Sequence, residues 1–262
     1  MLNLDERFYN RAKHLLKEKK KLLGAWLQTG SPMAAEIFGK SGLDVVVIDM
    51  EHGPGDIMNL IDQLRGLGRF QTTPLVRAPW NDMVWIKKIL DAGAYGVLVP
   101  YVNTKEEAEA AVAACRYPLK GVRGVAGSPR APGWGQNIGN YMDVANDEVL
   151  VMIAIETETA VNNIEEILSV EGLDGIFIGP MDLSCSMGHF RDPSHPEVQA
   201  AIKKVEDAVN KSDKFLASIA AGAEAAQEKY DKGYNLIMAF ADGGTLASVS
   251  RRNVEIFRSL NG

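Results

Sequence analysis

Eight short runs rich in Val, Ile and Leu recur along the chain, each followed by a stretch with helical apolar periodicity. This alternation constrains the fold more than any other feature of the sequence. Strands that are apolar on both faces belong in a parallel sheet covered on both sides. The runs are Leu22 to Gln28, Val45 to Met50, Pro74 to Ala78, Gly96 to Pro100, Val149 to Ile155, Gly175 to Ile178, Phe215 to Ile219 and Asn235 to Phe240. Helices are expected from Pro32, over Asp56 to Leu67, Asp82 to Ala92, Lys105 to Cys115, Ala160 to Val170, Pro196 to Asn210, Ala223 to Lys232 and Thr245 to Leu260. Ser31 is placed to cap the first of these, with Pro32 in its opening turn. A doubly wound open sheet would alternate too. The count of eight, and the lack of a GxGxxG motif after the first strand, favour a (β/α)₈ TIM barrel. The 262 residues fit one barrel domain over 1–262, with 1–21 as an extra N-terminal helical extension.

The rest of the chain narrows the setting. Tyr117 to Asp147 has six glycines and three prolines and no clear periodicity, with Arg123, Arg130 and Trp134 among them. A loop of that length in a compact domain is expected to be functional. The net charge of −6 argues against a nucleic-acid partner, and the basic run Lys17 to Lys21 reads as a solvated helix face. Cys115 and Cys185 are too few for a disulfide framework and form no CxxC pair, so free thiols in a reducing compartment are expected. The charged N-terminus lacks a signal-peptide core, and no apolar stretch reaches about 18 residues. A cytoplasmic protein with no membrane contact is expected.

In a barrel, chemistry gathers where strands end and loops begin. The second strand ends in Asp49-Met50-Glu51-His52, the third carries Arg77, the fifth ends in Glu156, the sixth in Gly179-Pro180-Met181-Asp182, and Asp242 follows the eighth. One such residue could be an ordinary solvated strand end. Together they resemble an active site. Glu156 and Asp182 end neighbouring strands, and two close carboxylates need a cation or a proton between them. Mg²⁺ and Mn²⁺ suit such sites. A glycosidase carboxylate pair is the competing reading, although it leaves Arg77 and His52 without roles. His52 is a natural base near neutral pH, and Arg77 a bidentate partner for a carboxylate or carbonyl. His14, His189 and His195 read as surface residues. No strand ends in lysine, so Schiff-base carbonyl chemistry has no nucleophile here.

These segments resemble the HpcH/HpaI aldolase/citrate lyase family, the metal-dependent pyruvate aldolases. The likeness rests on Asp49-Met50-Glu51-His52-Gly53-Pro54, Leu75 to Trp80, Leu90 to Pro100, Gly121-Val122-Arg123-Gly124, Ile155-Glu156-Thr157 and Ile178 to Ser184, in family order over roughly 24–245. The resemblance implies a divalent metal (Mg²⁺, Mn²⁺ or Co²⁺) held by Glu156 and Asp182, with pyruvate chelating it. It implies that Arg77 stabilises the enolate and that His52, with Asp91 as dyad partner, is the base. Gly179, Pro180, Met181 and Asp182 would receive the pyruvate carboxylate, and the chain would form a homo-oligomer, typically a hexamer with the last helix exchanged. Ala154 and Met181 stand where the family usually has glutamine and alanine. Trp26, Asp49, Ala154 and Arg123 are further candidates for the site.

The activity expected is cleavage of a 4-hydroxy-2-oxo acid to pyruvate and an aldehyde. Two alternatives stand beside it: a citrate-lyase-type enzyme acting on a CoA thioester, and a barrel without catalysis.

Overall fold

The structure is a computed structural model that describes residues 7–260. Eight parallel strands close into a barrel in sequence order, with β8 pairing back to β1. They are β1 (Leu22–Leu27), β2 (Val45–Asp49), β3 (Thr73–Arg77), β4 (Gly96–Val99), β5 (Leu150–Ile155), β6 (Gly175–Ile178), β7 (Phe215–Ile219) and β8 (Leu236–Ala241). Helix α1 (Arg11–Lys17) precedes the barrel, and α2 (Pro32–Lys40), α3 (Ile57–Leu67), α4 (Met83–Asp91) and α5 (Lys105–Cys115) follow the first four strands. Helix α6 (Ile138–Glu148) leads into β5. Then come α7 (Glu158–Asn162), α8 (Ile164–Leu168), α9 (Pro180–Ser186), α10 (Pro196–Asn210), α11 (Ala223–Asp231) and α12 (Asp242–Leu260).

The expected TIM barrel is therefore present, and its helix starts follow local capping chemistry. Ser31 accepts from the amide of Ala34, Asp56 from Asn59, Asp82 from Val84 and Trp85, and Thr104 from Glu107. Four expectations change. The Tyr117 to Asp147 segment is not all loop, because it carries most of α6. That helix buries only Tyr141 and Ala145, too thin a stripe to give visible periodicity. The helix expected over Ala160 to Val170 breaks at Asn163, whose backbone leaves the helical region. The loop after β6 holds α9, opened by Pro180. The N-terminal helix spans only Arg11–Lys17; residues 1–6 of that extension lie outside the described residues. Lys19 to Lys21 lie beyond its end and are exposed, so they line a turn and not a helix face.

Two apolar layers set the direction of every strand side chain. Val46, Ile48, Val76, Val151, Ile153 and Ile155 pack outward under the helices. Val45, Val47, Leu75, Leu150, Met152, Ala154, Phe177 and Trp26 fill the barrel interior. Side chains alternate along a strand, so Asp49, Arg77 and Glu156 share the inward parity of Val47, Leu75 and Ala154. The interior admits little bulk: a Cβ on Gly96 would meet the carbonyl oxygen of Leu150.

Helix α1 closes the N-terminal end of the barrel. Ala12 and Leu16 join the interior layer. Buried Lys13 donates to the Val149 carbonyl and pairs with Asp174 at 2.9 Å. Asn10 caps the helix and donates its amide to the Tyr95 carbonyl at 2.7 Å. The segment between α5 and β5 lies at this same end, because α5 runs back from the mouth. Within one chain, groups there sit at the end of the barrel opposite the strand C-termini. Both cysteines are free thiols, with Cys115 buried. No helix among the described residues is long and apolar enough to cross a membrane.

Candidate active site

Arg77 is the centre of the mouth. Asp49 and Arg77 are direct partners in the β2–β3 register. The guanidinium donates from Nε to Asp49 Oδ1 at 2.9 Å and from Nη2 to Oδ2 at 2.6 Å. Its third nitrogen, Nη1, lies 3.1 Å from Glu51 Oε2. Below, the cation stacks over the Trp26 ring at 4.6 Å, and Trp26 meets Phe177 edge to face. A planar cation held along two edges and one face has a fixed orientation.

Asp49 serves this arrangement more than it serves chemistry. It also accepts from Gln28 Nε2 at 2.9 Å and from the amides of Glu51 and His52 at 3.2 Å. Burial would raise its pKa, but the bonds from Arg77, Gln28 and His52 outweigh burial and hold the carboxylate below its ordinary range. The same two amide bonds shape the turn that carries His52 into solvent at the mouth.

Glu156 continues the inward parity of β5 and is 3% exposed. Its Oε2 accepts from the Tyr101 amide at 3.1 Å. Burial pushes its pKa up to about 7, and the neighbouring charges of Glu51 and Asp182 add to this. Gly179 is required where β6 passes it: a Cβ there would stand 2.7 Å from Glu156 Cγ and Oε1. Asp182 follows in the first turn of α9, with Met181 exposed beside it. Ala154 is fully buried one layer down, among Trp26 and Phe177.

The structure therefore brings together His52, Arg77, Glu156, Asp182, Trp26, Asp49 and the Gly179–Met181 turn. It does not bring Asp91 to them. Helix α4 ends at Asp91, and helices that follow strands run back toward the N-terminal end. There Asp91 Oδ1 accepts from Arg123 Nη2 at 2.8 Å. Arg123 is fully buried, donates to Tyr141 Oη at 3.1 Å and faces the Tyr117 ring at 4.4 Å. Tyr141 in turn packs on Phe8, just before α1. So within one chain Arg123 is a buried cation at the barrel end opposite the mouth. Among the described residues no hydrogen bond or ion pair joins Asp91 to His52. Asp242 is also structural: it accepts from the amides of Gln28 and Thr29 and ties β1 to α12.

Two residues of the mouth were not singled out from the sequence. Glu51 ion-pairs with Arg77, and its Oε2 has no hydrogen-bond partner. Burial raises its pKa, with Asp49 and Asp182 opposing its charge and Arg77 and His52 favouring it. Its place two residues past Asp49 was the available signal. Tyr101 holds Glu156 from a left-handed backbone (φ 53°), fixed by Asn103 donating to its carbonyl at 2.9 Å. Its ring stacks on Trp80 at 6.0 Å. Nothing in the sequence marks a tyrosine for positive φ.

The family model for HpcH/HpaI aldolase/citrate lyase matches residues 22–248. The chain is 38% identical to the 5-keto-4-deoxy-D-glucarate aldolase of Escherichia coli (strain K12 / DH10B), over 96% of this chain and 98% of the relative. An HpcH/HpaI aldolase/citrate lyase family protein from Burkholderia cenocepacia J2315 superposes with a TM-score of 0.92 at 34% identity, covering 95% of this chain and 99% of the other. The HpcH/HpaI aldolase of Desulfitobacterium hafniense DCB-2 gives 0.87 at 27%, covering 94% and 96%. Fold, mouth and relatives together define a carbon–carbon lyase of the aldolase class. The chain belongs to the HpcH/HpaI aldolase/citrate lyase family.

Proposed function

We propose that this aldolase is metal-dependent and reversibly cleaves a 4-hydroxy-2-oxo acid into pyruvate and an aldehyde at the mouth formed by β2, β3, β5 and β6. The observation that carries this reading is the charge imbalance there. Asp49, Glu51, Glu156 and Asp182 gather there beside the Arg77 guanidinium, and Asp49 already occupies one of its edges and Glu51 a second. Glu156 and Asp182, with Glu51 close by, are hard oxygen donors of the kind that hold Mg²⁺ or Mn²⁺. Such an ion would neutralise the buried excess and supply Lewis-acid polarisation of a carbonyl oxygen.

The chain's own groups then divide the work. The Arg77 guanidinium, unable to swing away from Asp49 and Trp26, stabilises the oxygen of the oxo acid that gains negative charge as the bond breaks. The first-turn amides of α9 at Met181 and Asp182 have no acceptor within their helix and suit the substrate carboxylate. His52, exposed at the rim, takes the proton from the 4-hydroxyl. Ala154 leaves the layer below Glu156 apolar, so orientation of that carboxylate falls to the Tyr101 amide.

Helix α12 supports a homo-oligomer. Among its residues only Asp242 is buried, while Leu246, Val249, Ile256 and Leu260 are exposed. A neighbouring copy is the natural cover for these residues. A dyad of His52 with Asp91 would likewise form between copies, since one chain holds them at opposite barrel ends.

The substrate named for the Escherichia coli relative, 5-keto-4-deoxy-D-glucarate, heads the panel that tests this reading. Pyruvate release is expected from it and from other 4-hydroxy-2-oxo acids with Mg²⁺ or Mn²⁺, and is expected to stop in chelator. Turnover of CoA thioesters alone, or equal rates in chelator, would contradict it.

A further inference from the structure

We propose that His189, His195 and Glu197 form a second divalent-cation site, remote in chemistry from the carboxylate mouth and suited to a borderline ion such as Zn²⁺. Each residue offers one ligand atom, and all three atoms lie within 4.8 Å of one another. Zinc–nitrogen bonds of about 2.0–2.1 Å place tetrahedral ligands roughly 3.3 Å apart, so the ligand atoms are within reach of one ion once the imidazole rings turn to face it. Two imidazoles and one carboxylate are a donor set that zinc accepts and Mg²⁺ does not favour. The proposal does not depend on the reading of the mouth.

The backbone has already placed these groups. His189 follows α9 and its amide donates to the Ser184 carbonyl at 2.8 Å. Asp192 folds the turn between: its carbonyl accepts from the His195 amide at 3.2 Å, and its carboxylate from Ser194 Oγ at 2.6 Å. His195 is the N-cap of α10, Pro196 fixes the first helical residue, and Glu197 stands in the first turn. The rings of His189 and His195 stack face to face, 3.5 Å between centroids and 16° apart. His189 Nε2 meets Glu197 Oε2 at 2.8 Å. Stacked in this way, the rings aim their in-plane lone pairs along nearly parallel directions, so taking up one ion requires a ring to turn out of the stack.

The atoms in use define how the ion would enter. His195 Nδ1 accepts a long bond from the Glu197 amide, 3.3 Å. A metal at Nδ1 replaces this weak cap and leaves Nε2–H to solvent. At His189 it replaces the Glu197 contact at Nε2, and Glu197 becomes the third ligand. The fourth position stays open to water. The consequence reaches the mouth through α9. That helix begins at Pro180, carries Asp182 in its first turn and ends just before His189, so an ion joining its end to the start of α10 clamps the segment that presents Asp182.

The test is calorimetric titration of the full chain with Zn²⁺, using Glu156→Gln/Asp182→Asn as parent so that the mouth is silent. One Zn²⁺ per chain is expected. Adding His189→Ala is expected to weaken binding about 100-fold. Adding His195→Asn, which keeps a capping side chain, is expected to weaken it at least about tenfold without lowering the melting temperature in chelator. No Zn²⁺ uptake by the parent at about 0.1 mM overturns the site. So does an affinity unchanged by either histidine substitution.

Discussion

A chain carrying Glu156→Gln and Asp182→Asn loses divalent-ion-dependent cleavage, with kcat/KM falling at least about a thousandfold, or roughly 4 kcal/mol of transition-state stabilisation. Both substitutions preserve shape and remove charge. The effect on stability has the opposite sign. Glu156 keeps its proton to about pH 7 in the folded chain, against an ordinary value of 4.5. Between those values the folded state binds more protons than the unfolded state. Metal-free stability is therefore full below about pH 4.5 and falls as pH rises to about 7, by about 3 kcal/mol in all. Glutamine at 156 removes that slope, and a bound divalent ion opposes it in the unaltered chain. Thermal melts in chelator from about pH 5 to pH 8, run beside steady-state kinetics, check both halves. Equal slopes with and without the substitution would show that Glu156 is not the strained carboxylate.

Arg77→Lys is expected to lower kcat about 100-fold, with kcat/KM falling in parallel. Lysine keeps the charge but loses the fork that grips Asp49 through Nε and Nη2, and the planar face over Trp26. The charge is then present without a fixed direction, and an interaction made in the transition state suffers most. A rise in KM with kcat unchanged would mean that Arg77 only binds the ground state. Removing the cation altogether, as in Arg77→Met, confounds the test. It leaves Asp49 buried and unpaired, a change that destabilises by about 3–5 kcal/mol.

What could be read from the sequence was set by periodicity and chain direction. Val45 to Met50 and Leu150 to Ile155 are apolar enough to declare buried parallel strands, and the residues ending them fall at one rim by topology alone. That reasoning found Arg77, His52, Glu156 and Asp182. It is silent where position depends on the reverse run of a helix. The role implied for Asp91 came from the family resemblance alone; within one chain α4 ends at Asp91 on the closed side of the barrel, where it pairs with Arg123. Thin stripes hid α6, and short helices opened by capping turns hid α9. The left-handed Tyr101 was invisible for a different reason: its amide is fixed by Glu156, which is close in space and distant in sequence, and only then does nearby Asn103 hold its carbonyl. The stack of His189 on His195 depends on the local turn at Asp192, although both residues looked like ordinary surface histidines.

Metal-linked pyruvate binding tests the central claim most directly. Calorimetric titration of pyruvate into the chain saturated with Mg²⁺, an ion the imidazole cluster does not favour, is predicted to give saturable binding. Chelator is predicted to abolish it, and so is Glu156→Gln/Asp182→Asn. Equal pyruvate affinity in chelator, or Mg²⁺-dependent binding that survives the double substitution, would contradict the assignment of Glu156 and Asp182 as the cation-holding pair.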